Sequence, residues 1–274
     1  MFLKLIKHEM RASGRLMLPI LAALPVVAAL SALSSTVGDG TESVIVAVVS
    51  TLTTIAFSVC CIAVLVMAFV VMIVRFRNSM LTDEGYLTNT LPVSTHSLVC
   101  SRLVTAMIYY VLAMLALVLS VSVFAVLTDG YTGVISDMPD TFSDVFEFYG
   151  FDDGEIDLRR IVLQALWISA LSLAATCLHF YAAMSLGHAA ADHKGLLSVV
   201  YYLVLGAVLR TVVSTISVSS MLKLEDGIGG MEPGAAITQW FSSQMFISAM
   251  VYLVFGAACY VITVLMLKKK LNLA

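Results

Sequence analysis

VIVAVVSTLTTIAFSVCCIAVLVMAFVVMIV, residues Val44 to Val74, contains no charged side chain. At 1.5 Å of helical rise per residue the run measures about 46 Å, more than the roughly 30 Å of a bilayer's hydrocarbon core. It therefore predicts a membrane-spanning helix that tilts or projects into the cytoplasm. Working outward, further apolar runs occupy about residues 16–35, 102–127, 160–185, 196–218 and 239–267, which makes six predicted spans. Composition agrees: 60% of the residues are hydrophobic and 12% charged, whereas a soluble domain carries roughly 25% charged residues. The predicted fold is an all-α integral membrane protein, a single six-helix transmembrane domain over residues 1–274. No internal repeat, low-complexity tract or soluble domain is visible, so function must reside in the helices and their short connections.

Orientation follows from the basic residues, which are retained on the cytoplasmic side. Lys4, Lys7, Arg11, Arg15, Arg75, Arg77, Arg102, Lys194, Lys268, Lys269 and Lys270 share one side with only Glu9, Asp83, Glu84 and Asp192. Of the chain's 15 basic and 18 acidic residues, four basic and fourteen acidic remain for the other side and the span interiors. Both termini are therefore expected in the cytoplasm. The N-terminal basic region followed by Leu16–Leu33 resembles a secretory signal, but the apolar run is nearly of spanning length, and an uncleaved first helix is expected. Cys60, Cys61, Cys100, Cys177 and Cys259 all fall in apolar segments or at their cytoplasmic ends, which argues against a disulfide framework.

Three connections carry information. Before the first span, Lys4, Lys7, His8, Arg11 and Arg15 recur at helical spacing, while Phe2, Leu3, Ile6, Met10 and Met17 line another face. Residues 1–15 are thus predicted to form an amphipathic helix on the cytoplasmic surface, either an anchor or a lever on the first span. The outer connection 128–159 holds Asp129, Asp137, Asp140, Asp144, Glu147, Asp152, Asp153, Glu155 and Asp157; a solvated acidic loop is the simplest reading, attraction of a cationic substrate the alternative. The inner connection 75–101 is highly punctuated. Thr82 suits an N-cap, Asp83 and Glu84 suit a first turn, Leu87 and Leu91 share a face, Pro92 stops the helix and Ser94 can cap the next. So short a helix with an apolar face needs a cover, from its neighbours or from a cytosolic partner.

KHEMRASGRLMLP at Lys7–Pro19, DEGYLTNTLPVS at Asp83–Ser94 and SLGHAAADHKGLLS at Ser185–Ser198, with the six-span layout, resemble the ABC-2 type permeases, membrane subunits of bacterial ATP-binding-cassette exporters. The resemblance implies a half-transporter in the cytoplasmic membrane that pairs with a second permease, identical or homologous, and engages a separate ATPase through short coupling helices. It places the main ATPase contact on Glu84, Gly85, Leu87, Thr88, Leu91 and Pro92, and a lesser one on His188, Asp192, His193 and Lys194. ATP and Mg are then expected in the partner ATPase and no cofactor or metal in this chain. The chain itself contains no G-x-x-x-x-G-K-[ST] phosphate loop. Membrane lipids are the remaining expected partner, and no nucleic acid is.

Within the spans Arg210 is the unambiguous charge, expensive unless paired or wet. It either snorkels outward to acidic residues or lines a pathway. His179 reads as a hydrogen-bonded core histidine rather than a proton relay. The Gly-rich stretch Glu225–Ala235 is either a re-entrant or capping element, as the resemblance suggests, or a turn. Two other function classes stand beside the exporter: an ATP-independent transporter or sensory or scaffold protein, and an intramembrane enzyme. The second is weakened because His8–Glu9 lacks the second His of a zinc-binding pair and no G-x-S-x-G or paired-aspartate set lies in the spans. Substrate identity is not legible in an apolar pathway of common residues.

Overall fold

At hydrocarbon depth no water is present to bond exposed backbone groups, so an apolar chain must satisfy them within itself, and helices do this residue by residue. The computed structural model, which describes residues 2–39, 43–81, 94–148, 158–189, 193–227 and 233–269, consists of six such helices: α1 (Phe2–Asp39), α2 (Val44–Leu81), α3 (Thr95–Phe148), α4 (Leu158–His188), α5 (Lys194–Gly227) and α6 (Pro233–Lys269). There is no strand among the described residues. Each helix contains a stretch long and apolar enough to cross a bilayer: Leu3–Val37, Val44–Met80, Thr95–Thr128, Leu163–His188, Lys194–Leu222 and Trp240–Lys268.

The apolar residues face outward as well as inward. On α2, Ile45, Val48, Leu52, Ile55, Val59 and Ile62 recur every three or four residues and each is more than half exposed, while Phe57, Val64, Ala68 and Val71 are buried. A helix apolar all round is stable only inside a large core or a bilayer. The chain is a multi-pass membrane protein.

The helices group into two compact units, Met1–Arg75 with Cys100–Thr141, and Phe76–Val99 with Phe142–Ala274. In the first, Met17, Leu21, Leu24 and Ala28 of α1 pack with Phe57, Val64, Ala68 and Val71 of α2 and with Tyr109 and Ala113 of α3. Spacings of three, four and seven keep each set on one helical stripe. Phe57 stacks on Phe124 at 5.3 Å and Phe69 meets Tyr110 edge-on at 5.3 Å. In the second unit α4 packs against α5 and α6. A Cβ on Gly256 of α6 would stand only 3.5 Å from the Ala175 Cα of α4, a close approach of small residues that permits helix contact without a hydrophobic drive.

Two elements are longer than their sequence signals. The predicted surface helix 1–15 and the first span form one uninterrupted helix that passes through Pro19 and Pro25. The residues around the expected junction, Arg11, Ala12, Arg15 and Leu16, are good helix formers, and isolated prolines are tolerated in membrane helices. The 128–159 stretch, read as an outer loop, is helical as far as Phe148; Phe142, Val145 and Phe146 recur there at helical spacing, and residues 149–157 lie outside the described residues. Within the Gly-rich stretch α5 persists to Gly227 and α6 begins at Pro233, a residue suited to a first helical turn because its missing N–H would lack an intrahelical partner there.

The turn from α4 to α5 is tight. A Cβ on Gly187 would fall 2.5 Å from the Ser198 backbone nitrogen and 2.6 Å from its Cα, so only glycine lets α4 and α5 approach here. A Cβ on Gly195, eight residues on, would meet nothing within 4 Å. Gly187→Ala is expected to destabilise the purified protein by about 1–3 kcal/mol through overpacking. Gly195→Ala is expected to leave stability unchanged or slightly raised, and thermal unfolding in detergent of the two variants side by side checks both.

Candidate functional site

In the first unit the polar groups converge on Glu9 of α1. Its carboxylate accepts from Arg102 of α3 (Nη2 to Oε1, 3.1 Å) and lies 3.5 Å from Arg75 Nη2 of α2. Arg75 also donates through Nε to Ser13 Oγ at 3.1 Å and through Nη2 to the Glu9 carbonyl at 3.5 Å. At the next residue of α1, the Tyr109 hydroxyl of α3 donates to the Met10 carbonyl at 2.6 Å. A Cβ on Gly14 would lie 2.7 Å from that hydroxyl oxygen, so glycine leaves the room the tyrosine occupies. Arg102 is 8% exposed, Glu9 14% and Arg75 35%. The more deeply buried arginine makes the shorter contact, as the desolvation penalty demands, since a guanidinium at this depth without a carboxylate costs several kcal/mol. One acidic side chain thus pins three helices together.

The position of the two arginines in the chain gives the cluster its functional interest. Arg75 and Arg102 flank the inner connection, one at each end. Inside it, Phe76 and Met80 on the α2 side and Leu98 and Val99 on the α3 side are fully buried in the second unit. Phe76 stacks on Tyr181 of α4 with centroids 3.9 Å apart and planes 10° from parallel. His96, at the start of α3, lies between the Tyr260 hydroxyl (Nδ1, 2.9 Å) and Lys268 Nζ (Nε2, 3.3 Å) of α6. An ammonium can only donate, so Nε2 accepts from Lys268 and Nδ1–H donates to Tyr260.

Of the residues that the resemblance assigns to ATPase contact, Glu84, Gly85, Leu87, Thr88, Leu91 and Pro92 lie outside the described residues, and so does Asp192. The others bracket the α4–α5 turn. His188 ends α4 and donates through Nδ1 to the Met184 carbonyl at 3.0 Å. His193 precedes α5 in a left-handed conformation (φ 54°) and its carbonyl accepts from Leu197 N at 3.0 Å. Histidine is among the non-glycine residues that tolerate this region, so His193 has a conformational task as well as its imidazole. Lys194 opens α5, and both it and Arg77 stand close enough to act on the His188 ring by charge. The end of α2 and the α4–α5 turn therefore bring cationic side chains together.

His179 is buried, with Nε2 donating to the Tyr202 carbonyl at 3.0 Å and its ring stacked on Tyr202 at 4.5 Å; Gly206 leaves space beside its Cε1. This is the hydrogen-bonded core histidine that the sequence predicts. Arg210 is exposed on α5 and forms no hydrogen bond or ion pair with a described residue. No described residue of the α5 span is buried.

The clasp around Glu9, and the Lys268–His96–Tyr260 chain, were not singled out from sequence. A signal existed for the first: Glu9 is the only acidic residue before Asp39, among four basic ones. Glu9→Gln is expected to lower unfolding stability by about 3 kcal/mol, because it takes the carboxylate charge away from the buried Arg102 guanidinium. Glu9→Leu combined with Arg102→Leu is expected to recover more than half of that loss; denaturation of the single and double variants in micelles measures both. Comparison of the chain with family models, with curated proteins and with solved structures finds no match in any of the three.

Proposed function

We propose that this chain is the permease subunit of an ABC-2 type exporter, moving a substrate across the cytoplasmic membrane with work done by a separate ATPase. The observation that carries this reading is the anchoring of the inner connection at both ends. A passive tether between two spans needs no such fixture. Here Phe76, Met80, Leu98 and Val99 are fully buried, the Phe76–Tyr181 stack ties one end to α4, and His96 ties the other to α6. A segment held in this way passes a push on residues 83–94 into helices rather than dissipating it in loose chain.

The roles follow from that mechanics. Glu84, Gly85, Leu87, Thr88, Leu91 and Pro92 present the main ATPase contact, and His188, Asp192, His193 and Lys194 the lesser one. Arg77 and Lys194 beside His188 add positive charge that suits an acidic face on the ATPase. Displacement of the connection reaches α2 and α3 directly and α1 through Glu9, whose two arginine partners sit at the connection's borders. α5, on which no described residue is fully buried and Arg210 is exposed, supports pairing with a second permease, since a charge facing lipid alone is costly.

Glu84→Arg with Leu91→Arg is expected to abolish co-purification of the ATPase and nucleotide-dependent export while leaving membrane insertion and the melting temperature unchanged. Cysteines introduced between Asp83 and Ser94 are expected to react with a membrane-impermeant maleimide only after the cells are opened. Labelling from outside intact cells, or export by the purified chain without an ATPase, would overturn the proposal.

A further inference from the structure

Arg210 lies at the middle of its span. Trp240 of α6 donates through Nε1 to Ser220 Oγ of α5 at 3.3 Å, and tryptophan marks the boundary between hydrocarbon and headgroups. Tyr201, exposed toward the other end of α5, marks the inner boundary in the same way. From Tyr201 to Ser220 the helix rises about 29 Å, the thickness of a hydrocarbon core. Arg210 stands about 15 Å from Ser220 and about 14 Å from Tyr201, at 1.5 Å per residue. An extended arginine side chain reaches neither boundary, so snorkelling does not solve its charge.

A guanidinium at that depth needs a counter-ion or water. Arg210 is exposed and forms no hydrogen bond or ion pair with a described residue. Of the six spanning stretches only Leu3–Val37 contains an acidic residue, Glu9, and Glu9 is held by Arg75 and Arg102. A second identical copy brings the same sequence, so pairing two chains supplies no further carboxylate from a span. Lipid phosphates stand at the boundaries, about 15 Å from the bilayer centre. The remaining source is an anion that enters with water.

The composition of α5 shows the direction of entry. Between Arg210 and the outer boundary lie Thr211, Ser214, Thr215, Ser217, Ser219 and Ser220, whereas Val199–Leu209 contains no serine or threonine. Thr211, Ser214, Thr215 and Ser219 are exposed. Their hydroxyls donate back to carbonyls one turn earlier and keep lone pairs available to water. Arg210, Ser214 and Ser217 succeed one another at spacings of four and three on one face, and Ser217 accepts from Gln244 Nε2 of α6 at 2.6 Å. A polar stripe thus runs from the charge at mid-membrane to the outer boundary. We propose that Arg210 is a binding site for an anionic oxygen group, a carboxylate or a phosphate, at the inner end of a water-accessible cavity that opens to the outer side of the membrane. The planar guanidinium suits either group bidentately. That the anion belongs to the transported substrate rests on the exporter reading; the site itself does not.

Ser214→Cys places a thiol one turn outward from Arg210 on the same face. Membranes from cells expressing the full chain, opened so that both sides are exposed, are treated with a thiosulfonate bearing a sulfonate or with one of similar size bearing a trimethylammonium. The chain without Ser214→Cys gives the background from the native cysteines. Both reagents are expected to react, since the reactive thiolate forms only in water, with a sulfonate-to-ammonium rate ratio above that of a free thiol in solution. Adding Arg210→Gln is expected to lower that ratio about ten-fold, whereas Arg210→Lys, which keeps the charge, is expected to preserve it. Slowing of the sulfonate reagent by inorganic phosphate identifies a free anion as the ligand, and slowing by a water-soluble short-chain phosphatidylglycerol identifies a lipid headgroup. No reaction with either reagent, a ratio indifferent to Arg210→Gln, or protection by neither anion overturns the proposal. Co-purification of an ATPase tests the exporter reading separately, and its failure would leave these rates as they are.

Discussion

In a medium without water, a polar group that does not find its partner within the protein has none, and that constraint orders this structure. Backbone groups meet it by helix formation along almost every described residue. Hydroxyls meet it by bonding back to carbonyls one turn earlier, as Ser34 does to Ser31 and Thr105 to Ser101. The charged side chains have no such local solution. At the basic ends of the spans burial in protein takes over from lipid in excluding water, and there Glu9, Arg75 and Arg102 pair with one another, which requires α1, α2 and α3 to meet at one place.

The same constraint shapes the packing. Between helices already surrounded by hydrocarbon, burying a leucine gains little over leaving it in lipid, so close contact rests on small residues and on polar bonds. Gly256 packs closely on Ala175, and Gly187 against Ser198 and Gly14 against Tyr109 are places where a single methyl group would force helices or side chains apart. The bonds of Gln244 to Ser217 and Ser220, at 2.6 and 2.8 Å, and of Trp240 to Ser220 at 3.3 Å, join α5 to α6 in the same way. The outward residues meanwhile stay large and apolar because lipid, not protein, is their neighbour.

These features bear on function through the inner connection. Its ends are fixed by charge pairs at Arg75 and Arg102, by fully buried side chains just inside them, and by a Lys–His–Tyr chain at His96. The proposed coupling to an ATPase rests on these fixtures.

Number, order and rough extent of the six spans were legible because hydropathy alone decides whether a helix of that length can sit in lipid, and Val44–Val74 leaves no choice. His179 was legible as well, since an imidazole within an apolar helix must find an acceptor. The continuity of α1 was not legible: amphipathic spacing in residues 1–15 suits a helix on a membrane surface and the start of a buried one equally. What α1 packs against decides, and Ser13, Gly14 and Met17 are buried in the fold. Likewise Glu9, Arg75 and Arg102 read from sequence as part of a cytoplasmic charge count, because spacing of 66 and 93 residues carries no periodic signal. Hydropathy is a property of each residue's transfer into lipid and so is written in the chain itself; partnership between distant side chains depends on which helices touch, and tertiary packing alone decides that.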